Sequence, residues 1–341
     1  MNKKIKQIKR ELGSSLLILA HHYQSDEIVQ YADEVGDSLI LAQAAAKNRQ
    51  SKYIIFCGVH FMAETADILT TPEQLVYMPD VNAGCPMADM ADLPQTEKAW
   101  KKLIDLFDDT IMPITYINSK AEIKSFCGEH GGTCVTSSNA KRVVSYGFEK
   151  KERILFLPDQ NLGRNTAYSL GIPLEKMALY NPLKEEIEFD GKPEDIKIIL
   201  WKGYCHAHHN ILPETVKKVR SENKDIKIIV HPECTHETLE LSDMNGSTQY
   251  IINAVKSSEP GTKWAIGTEK NLVERLKNTY TDKKIILLDE ISQCKDMNLT
   301  NEKSLLSTLD DILNGKSERI VNVDEKIREN AKKALETMLK L

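Results

Sequence analysis

The sequence predicts an α/β protein made of three similar α/β/α units, each carrying a parallel sheet and related to the others by pseudo-threefold symmetry around a central site. Two observations predict this. One order of elements recurs three times in phase along the 341 residues. One cysteine then follows the third strand of each unit, at Cys85, Cys205 and Cys294. Strand and helix alternating at this length imply parallel βαβ units layered as α/β/α.

Each unit opens on a helical stretch, near Lys4–Leu12, Glu97–Phe107 and Glu214–Ser221, and runs into an apolar strand at Leu16–Ala20, Ile111–Thr115 and Ile226–Val230. A polar cluster follows directly: His21-His22-Tyr23, Tyr116-Ile117-Asn118 and His231-Pro232-Glu233. Ser25, Ser119 and Thr235 then cap a short helix, which is expected to stop at Gly36, Gly128 and Gly246. Asp37-Ser38, Thr136-Ser137-Ser138 and Ser247-Thr248 open a second helix. Second strands are expected at Tyr53–Cys57, Arg153–Leu157 and Lys263–Ile266, and third strands at Leu75–Met78, Ile196–Trp201 and Ile285–Leu288. His21 lies 64 residues before Cys85 and His231 lies 63 before Cys294, whereas Asn118 lies 87 before Cys205. The middle unit therefore carries an insertion, placed near residues 165–195. The units are expected at 1–92, 93–209 and 210–341, the last including an outer amphipathic helix at Asp324–Leu341.

Composition narrows the class. Hydrophobic residues at 41% supply a real core, which excludes a disordered chain. The apolar runs are too short to cross a bilayer, and MNKKIKQIKREL reads as an amphipathic helix without the features of a signal peptide. With 45 basic and 50 acidic residues interspersed, no basic stripe invites nucleic acid. Seven cysteines without an export signal point to a reducing, cytoplasmic setting and to free thiols or metal ligands.

Ligands of parallel sheets bind at the carboxyl ends of the strands, where helix N-termini attract anions. Ser38, Ser137 and Thr248 would add hydroxyl donors there, so a phosphate- or carboxylate-bearing substrate on the pseudo-threefold axis explains all three. Each alone would read as a plain cap. Cys85, Cys205 and Cys294, at equivalent places, suit three irons of a [4Fe–4S] cluster whose fourth iron stays open as a Lewis acid favouring loss of water. Cys85-Pro86 has the Cys-Pro pairing common at cluster ligands. His208 could instead complete a Cys₃His zinc site, a reading that spacing leaves open. Cys57 reads as a packed hydrophobe, and CGEHGGTC around Cys127 and Cys134 reads as a glycine-rich loop or a zinc half-site.

These residues carry a resemblance. AHHYQSDEIVQYADEVGDSL, FCGVHFMAETADIL, AGCPMADM, YINSKAEIKS, TCVTSSNA, LFLPDQNLGRNTA, WKGYCHAHH, HPECTHETLELSDMNGST, IGTEKNL and CKDMNLTNEKSLLSTL span nearly the whole chain, which resembles the quinolinate synthases. The resemblance implies three α/β/α domains around a central active site. It implies condensation of iminoaspartate with dihydroxyacetone phosphate to quinolinate in de novo NAD biosynthesis, with loss of phosphate and two waters. It also implies functional coupling to an L-aspartate oxidase or dehydrogenase that supplies the imine, and no nucleic-acid or membrane partner. By position the cluster ligands become Cys85, Cys205 and Cys294. The substrate contacts become His21, Ser38, Tyr116, Ile117, Asn118, Ser137, His231, Pro232, Glu233 and Thr248.

Within that resemblance Glu233 is the expected principal base, His21 and His231 bind carboxylates or phosphate, and Tyr23 either shuttles protons or walls the pocket. Some relatives carry a C-x-x-C pair beside the third ligand, but Cys294 stands alone here, so no local regulatory disulfide is expected. The HAHH run at His206–His209 has no assigned role. Two other readings compete: a [4Fe–4S] hydro-lyase without a condensation step, and a non-enzymatic protein stapled by zinc.

Overall fold

The computed structural model describes residues 1–341. The first sheet contains β1 (Leu16–His21), β2 (Glu34–Gly36), β3 (Tyr53–Cys57) and β4 (Leu75–Tyr77). The second contains β5 (Ile111–Tyr116), β6 (Thr133–Val135), β7 (Arg153–Leu157), β8 (Met177–Asn181), β9 (Glu186–Glu188) and β10 (Ile198–Trp201). The third contains β11 (Lys227–Val230), β12 (Met244–Asn245), β13 (Lys263–Gly267) and β14 (Lys284–Leu287). A last strand, β15 (Ile320–Val321), returns to the first sheet.

One topology is repeated three times. The orders β2-β1-β3-β4, β6-β5-β7-β10 and β12-β11-β13-β14 are the same, and every pairing within them is parallel. Helices cover both faces, which is why the first strand of each unit is nearly continuous in apolar residues: all six residues of β5 are buried. The insertion in the middle unit is the hairpin of β8 and β9, joined antiparallel to each other and added beyond β10.

Two expectations need correction. The three glycines do not stop helices. The short helices Asp26–Val29 and His236–Glu240 end earlier, and the chain returns through the edge strands β2 and β12. Gly36 ends β2, Gly246 follows β12, and Gly128 sits inside the helix Ala121–Glu129. Edge strands of two or three residues are too short to leave a periodic signature.

The second correction concerns the end of the chain. Residues beyond about Leu299 were expected to close the third unit, but they return to the first two. The helix Glu302–Leu313 packs its Leu305, Leu309 and Ile312 into the apolar cluster beneath the first sheet, beside Ile5 and Ile8 of the helix Asn2–Leu12. β15 pairs antiparallel with β4, and the helix Glu325–Lys340 lies along Ala121–Glu129 of the middle unit. That last helix is no outer ornament, because Ala331, Ala334, Leu335 and Met338 are fully buried. Asp67 ties it down: its carboxylate accepts from Val323 N at 2.9 Å and pairs with Arg328 Nη2 at 2.6 Å. No helix is long and apolar enough to cross a membrane.

The close approach of the two helices depends on Gly128, where an added Cβ would stand 1.9 Å from the backbone oxygen of Asn330. Gly128→Ala is therefore expected to force the helices apart and to cost about 1–3 kcal/mol, as overpacking does. Urea unfolding should show it as a lowered midpoint with an unchanged slope.

Candidate active site

In each sheet the first strand sits inside the order, with its successor on one side and the next strand on the other. Such a switch point opens a crevice at the carboxyl end. The crevices of the three units open onto one cavity. From the first unit it is lined by His21, Tyr23, Ser38 and Cys85; from the second by Tyr116, Asn118, Ser137 and Cys205; from the third by His231, Glu233, Thr248 and Cys294. Two expected contacts are missing. Ile117 turns into the core between Tyr116 and Asn118, because successive side chains alternate there. Pro232 borders an outer groove instead, and its carbonyl accepts from Asn165 Nδ2 at 2.9 Å.

The equivalence extends to the backbone that presents the cysteines. The amide of the first residue of the helix after each second strand donates to the carbonyl two residues before each cysteine. His60 N reaches Ala83 O at 2.8 Å, Gln160 N reaches Gly203 O at 2.9 Å, and Lys270 N reaches Ser292 O at 2.8 Å. In the middle unit a buried carboxylate adds a further hold, since Asp159 accepts from Leu162 N at 2.6 Å and from Cys205 N at 3.1 Å.

All three thiols are free. Burial pushes Cys85 up to about 12 and Cys294 up to about 11, and it drives Cys205 well above the ordinary thiol value. Repulsion between these thiols adds to the burial effect at Cys85 and Cys205, so the three lie within electrostatic reach of one another. Neutral thiols in a cavity of mixed apolar and polar lining are what a cation would convert to thiolates. The donors fit a thiolate-bound metal centre.

A single zinc ion fits less well. Only Cys205, His208 and Glu233 bring three candidate ligand atoms within 4.8 Å of one another. Tetrahedral zinc needs four donors about 3.5–3.8 Å apart, so the Cys₃His set is not gathered tightly enough.

Beside the thiols lies a polar chain. Glu233 Oε2 stands 3.0 Å from Nδ1 of both His208 and His231, whose rings stack at 4.4 Å. His231 Nδ1 also faces the Glu233 amide at 3.4 Å, and His208 Nδ1 makes no hydrogen bond. Burial alone would raise the Glu233 carboxyl, but the two imidazoles reverse this and hold it well below the usual carboxylate range. His208 Nε2 continues to Thr268 Oγ1 at 3.1 Å and to the Tyr23 hydroxyl at 3.3 Å, while Tyr23 and Thr268 are 2.8 Å apart. Burial and the nearby Glu233 charge keep the Tyr23 phenol protonated far up the pH scale.

His21 has a different setting. Its Nδ1 accepts from the Tyr23 amide at 3.2 Å, and burial lowers its basicity well below the ordinary imidazole value. The ring is therefore neutral, with the proton on Nε2. The helices Ser38–Lys47 and Thr248–Ser257 begin at the cavity, capped by Asp37 and Ser247. In the middle unit the helix begins only at Ala140, so Ser137 reaches the cavity from the preceding turn rather than from a helix start. Four buried polar atoms of the lining have no hydrogen-bond partner: Asn118 Oδ1, His208 Nδ1, Glu233 Oε1 and Thr248 Oγ1. Unpartnered buried polar atoms are costly, and a polar ligand would satisfy them.

Several site residues escaped the sequence reading of the site. In sequence His208 reads only as a zinc ligand, although the HAHH run marks the place. Asp37 is legible only as part of a helix start, and Thr268 and Asp159 leave no signal, because buried hydroxyls and carboxylates look like ordinary loop residues in sequence.

The full chain resembles known proteins. The family model described as quinolinate synthetase A protein matches residues 3–340. A quinolinate synthase of Listeria monocytogenes serovar 1/2a is 55% identical over 339 residues, covering 99% of this chain and 93% of that protein. One from Bacillus cereus strain AH187 is 53% identical over 340 residues, covering 99% and 92%.

Asp37 joins two units across the cavity mouth, since its Oδ1 takes Leu39 N at 3.0 Å and Ile40 N at 2.9 Å while Ser138 Oγ donates to its other oxygen. Asp37→Ala should cost about 1–2 kcal/mol as a lost cap, and Asp37→Asn should cost less. Thermal unfolding of the two variants tests this ranking.

Proposed function

Because the chain belongs to the quinolinate synthetase A family, we infer that it condenses iminoaspartate with dihydroxyacetone phosphate to quinolinate, phosphate and two waters, a step of NAD biosynthesis. The atoms balance without an oxidant or reductant, so the reaction calls for acid, base and Lewis-acid groups rather than an electron carrier. One observation carries the reading: a cysteine from each unit lines the same cavity as the hydroxyls, the imidazoles and Glu233.

Cys85, Cys205 and Cys294 would hold a [4Fe–4S] cluster. With three protein ligands it would supply one open iron as a Lewis acid for loss of water. The remaining work falls to the chain. Ser38 and Thr248, at the first turns of helices whose N-termini open on the cavity, bind the anionic groups of the substrates, and Ser137 adds a hydroxyl between them. His21, neutral with Nε2–H free, donates to a carboxylate or phosphate oxygen. His231 and Asn118 hold the opposite side.

Glu233 removes protons at carbon. Its two imidazole neighbours keep it ionised at neutral pH, and Oε1 is free to approach the substrate. His208 stands between Glu233 and Tyr23, with one ring nitrogen 3.0 Å from the carboxylate and the other 3.3 Å from the phenol, which supports Tyr23 as a shuttle rather than a passive wall. The imine hydrolyses in water, so coupling to an L-aspartate oxidase or dehydrogenase would supply it. A thiolate-held iron centre belongs in a reducing compartment, which supports the cytoplasm.

Anaerobic purification followed by iron and sulfide analysis tests the metal centre. Cys85→Ala, Cys205→Ala and Cys294→Ala should each lose iron, sulfide and turnover, whereas Cys57→Ala should retain all three. About one zinc and no sulfide per chain would favour the stapled-domain alternative. Omitting the triose phosphate separates condensation from a simple hydro-lyase, which would not require it. Glu233→Gln should keep its iron while kcat falls about 10²–10⁴-fold, the usual worth of a general base; near-normal turnover would remove Glu233 from that role.

A further inference from the structure

Lys124 is a fully buried lysine on the helix Ala121–Glu129. Several other buried charges have matching partners. Asp67 pairs with Arg328, Asp159 accepts two backbone amides, Glu233 sits between two imidazoles, and Asp311 pairs with Arg319. Lys124 has none of these. An ammonium carries three donors, and this one finds a single acceptor, the carbonyl of Ser119. The carboxylate it feels most, Glu64, is engaged elsewhere, accepting from Ala121 N at 3.0 Å. Burying a charge without a counter-charge is among the costliest arrangements in a protein.

Its surroundings name the missing partner. The ammonium lies 5.5 Å from the centre of the Phe61 ring, and Phe61 lines the central cavity together with Cys85. Burial lowers the basicity of this ammonium below the ordinary lysine value, and the negative charges that would act the other way are those of Glu64, Cys134, Cys85 and Cys127. Cys127 and Cys134 are buried thiols held neutral by burial. What stands across Phe61 is therefore the side of the cavity where the thiolate-bound centre would carry net negative charge.

We propose that Lys124 is the built-in counter-cation of that centre, buried without an ion-pair partner so that its field stabilises the negative charge of the cluster held at Cys85. The proposal rests on the cluster reading above. Lys124 acts through space on the centre and is a positioning residue, with no contact to substrate required.

A redox titration of the anaerobically purified holoenzyme, followed by electron paramagnetic resonance, tests it. One-electron reduction adds a negative charge, so removing a nearby cation should make reduction harder. Lys124→Met removes the charge and keeps the stem. Lys124→Gln removes the charge and keeps a donor for the Ser119 carbonyl. Both should move the midpoint to more negative potential by a similar amount, and both should lose iron to a chelator several-fold faster than wild type. Restoration of wild-type behaviour by Gln would reveal a hydrogen-bonding role and overturn the proposal. So would unchanged potential and iron release in both variants, or failure of both to fold, since a cation kept for the centre is dispensable to the polypeptide. Wild-type protein without iron and sulfide would end the cluster reading itself, and this inference with it; normal wild-type iron with indifferent variants would end this inference alone.

Discussion

Parallel pairing of three short sheets is the constraint from which the site follows. In a parallel sheet all strands deliver their carboxyl ends to one edge, and in this topology the first strand of each unit stands at the reversal point. His21 ends β1, Tyr116 ends β5, and His231 follows β11 directly. Three such edges facing one axis gather groups that lie more than two hundred residues apart in the chain. The matched amide-to-carbonyl bonds before Cys85, Cys205 and Cys294 carry the same symmetry into the loops that bear the thiols.

The symmetry stops where chemistry needs differences. The first unit ends its strand on His21 with Tyr23 two residues on, whereas in the third His231 follows the strand directly, with Glu233 at the same offset. In both, the histidine Nδ1 faces the amide two residues later, at 3.2 Å and 3.4 Å. One unit therefore presents a neutral donor beside a phenol, and the other a carboxylate pinned between imidazoles. His208 bridges the two, touching Tyr23 with one ring nitrogen and Glu233 with the other. The phenol and the carboxylate thus stand at opposite sides of one imidazole.

The end of the chain serves geometry rather than chemistry. By adding β15 to the first sheet and a buried helix to the middle unit, residues 302–341 clamp those two units together. The glycine at 128 is the steric condition of that clamp. The third unit has no comparable clamp; it meets the others through the cavity walls and through contacts such as Arg275 with Asp26 at 2.6 Å.

The sequence by itself determined the three main strands of each unit, the threefold order, the three cysteines and most of the lining residues, because apolar strands, terminal polar clusters and equal spacings are local or periodic signals. It also sufficed for the family, since the motifs run the length of the chain. Only the tertiary structure decided that Ile117 and Pro232 face away, that His208 joins Tyr23 to Glu233, that Lys124 is buried without a counter-charge, and that the terminal helix belongs to the middle unit. Each of these depends on which remote surfaces meet and on what burial does to a polar group. Neither distance nor desolvation is written in the order of residues.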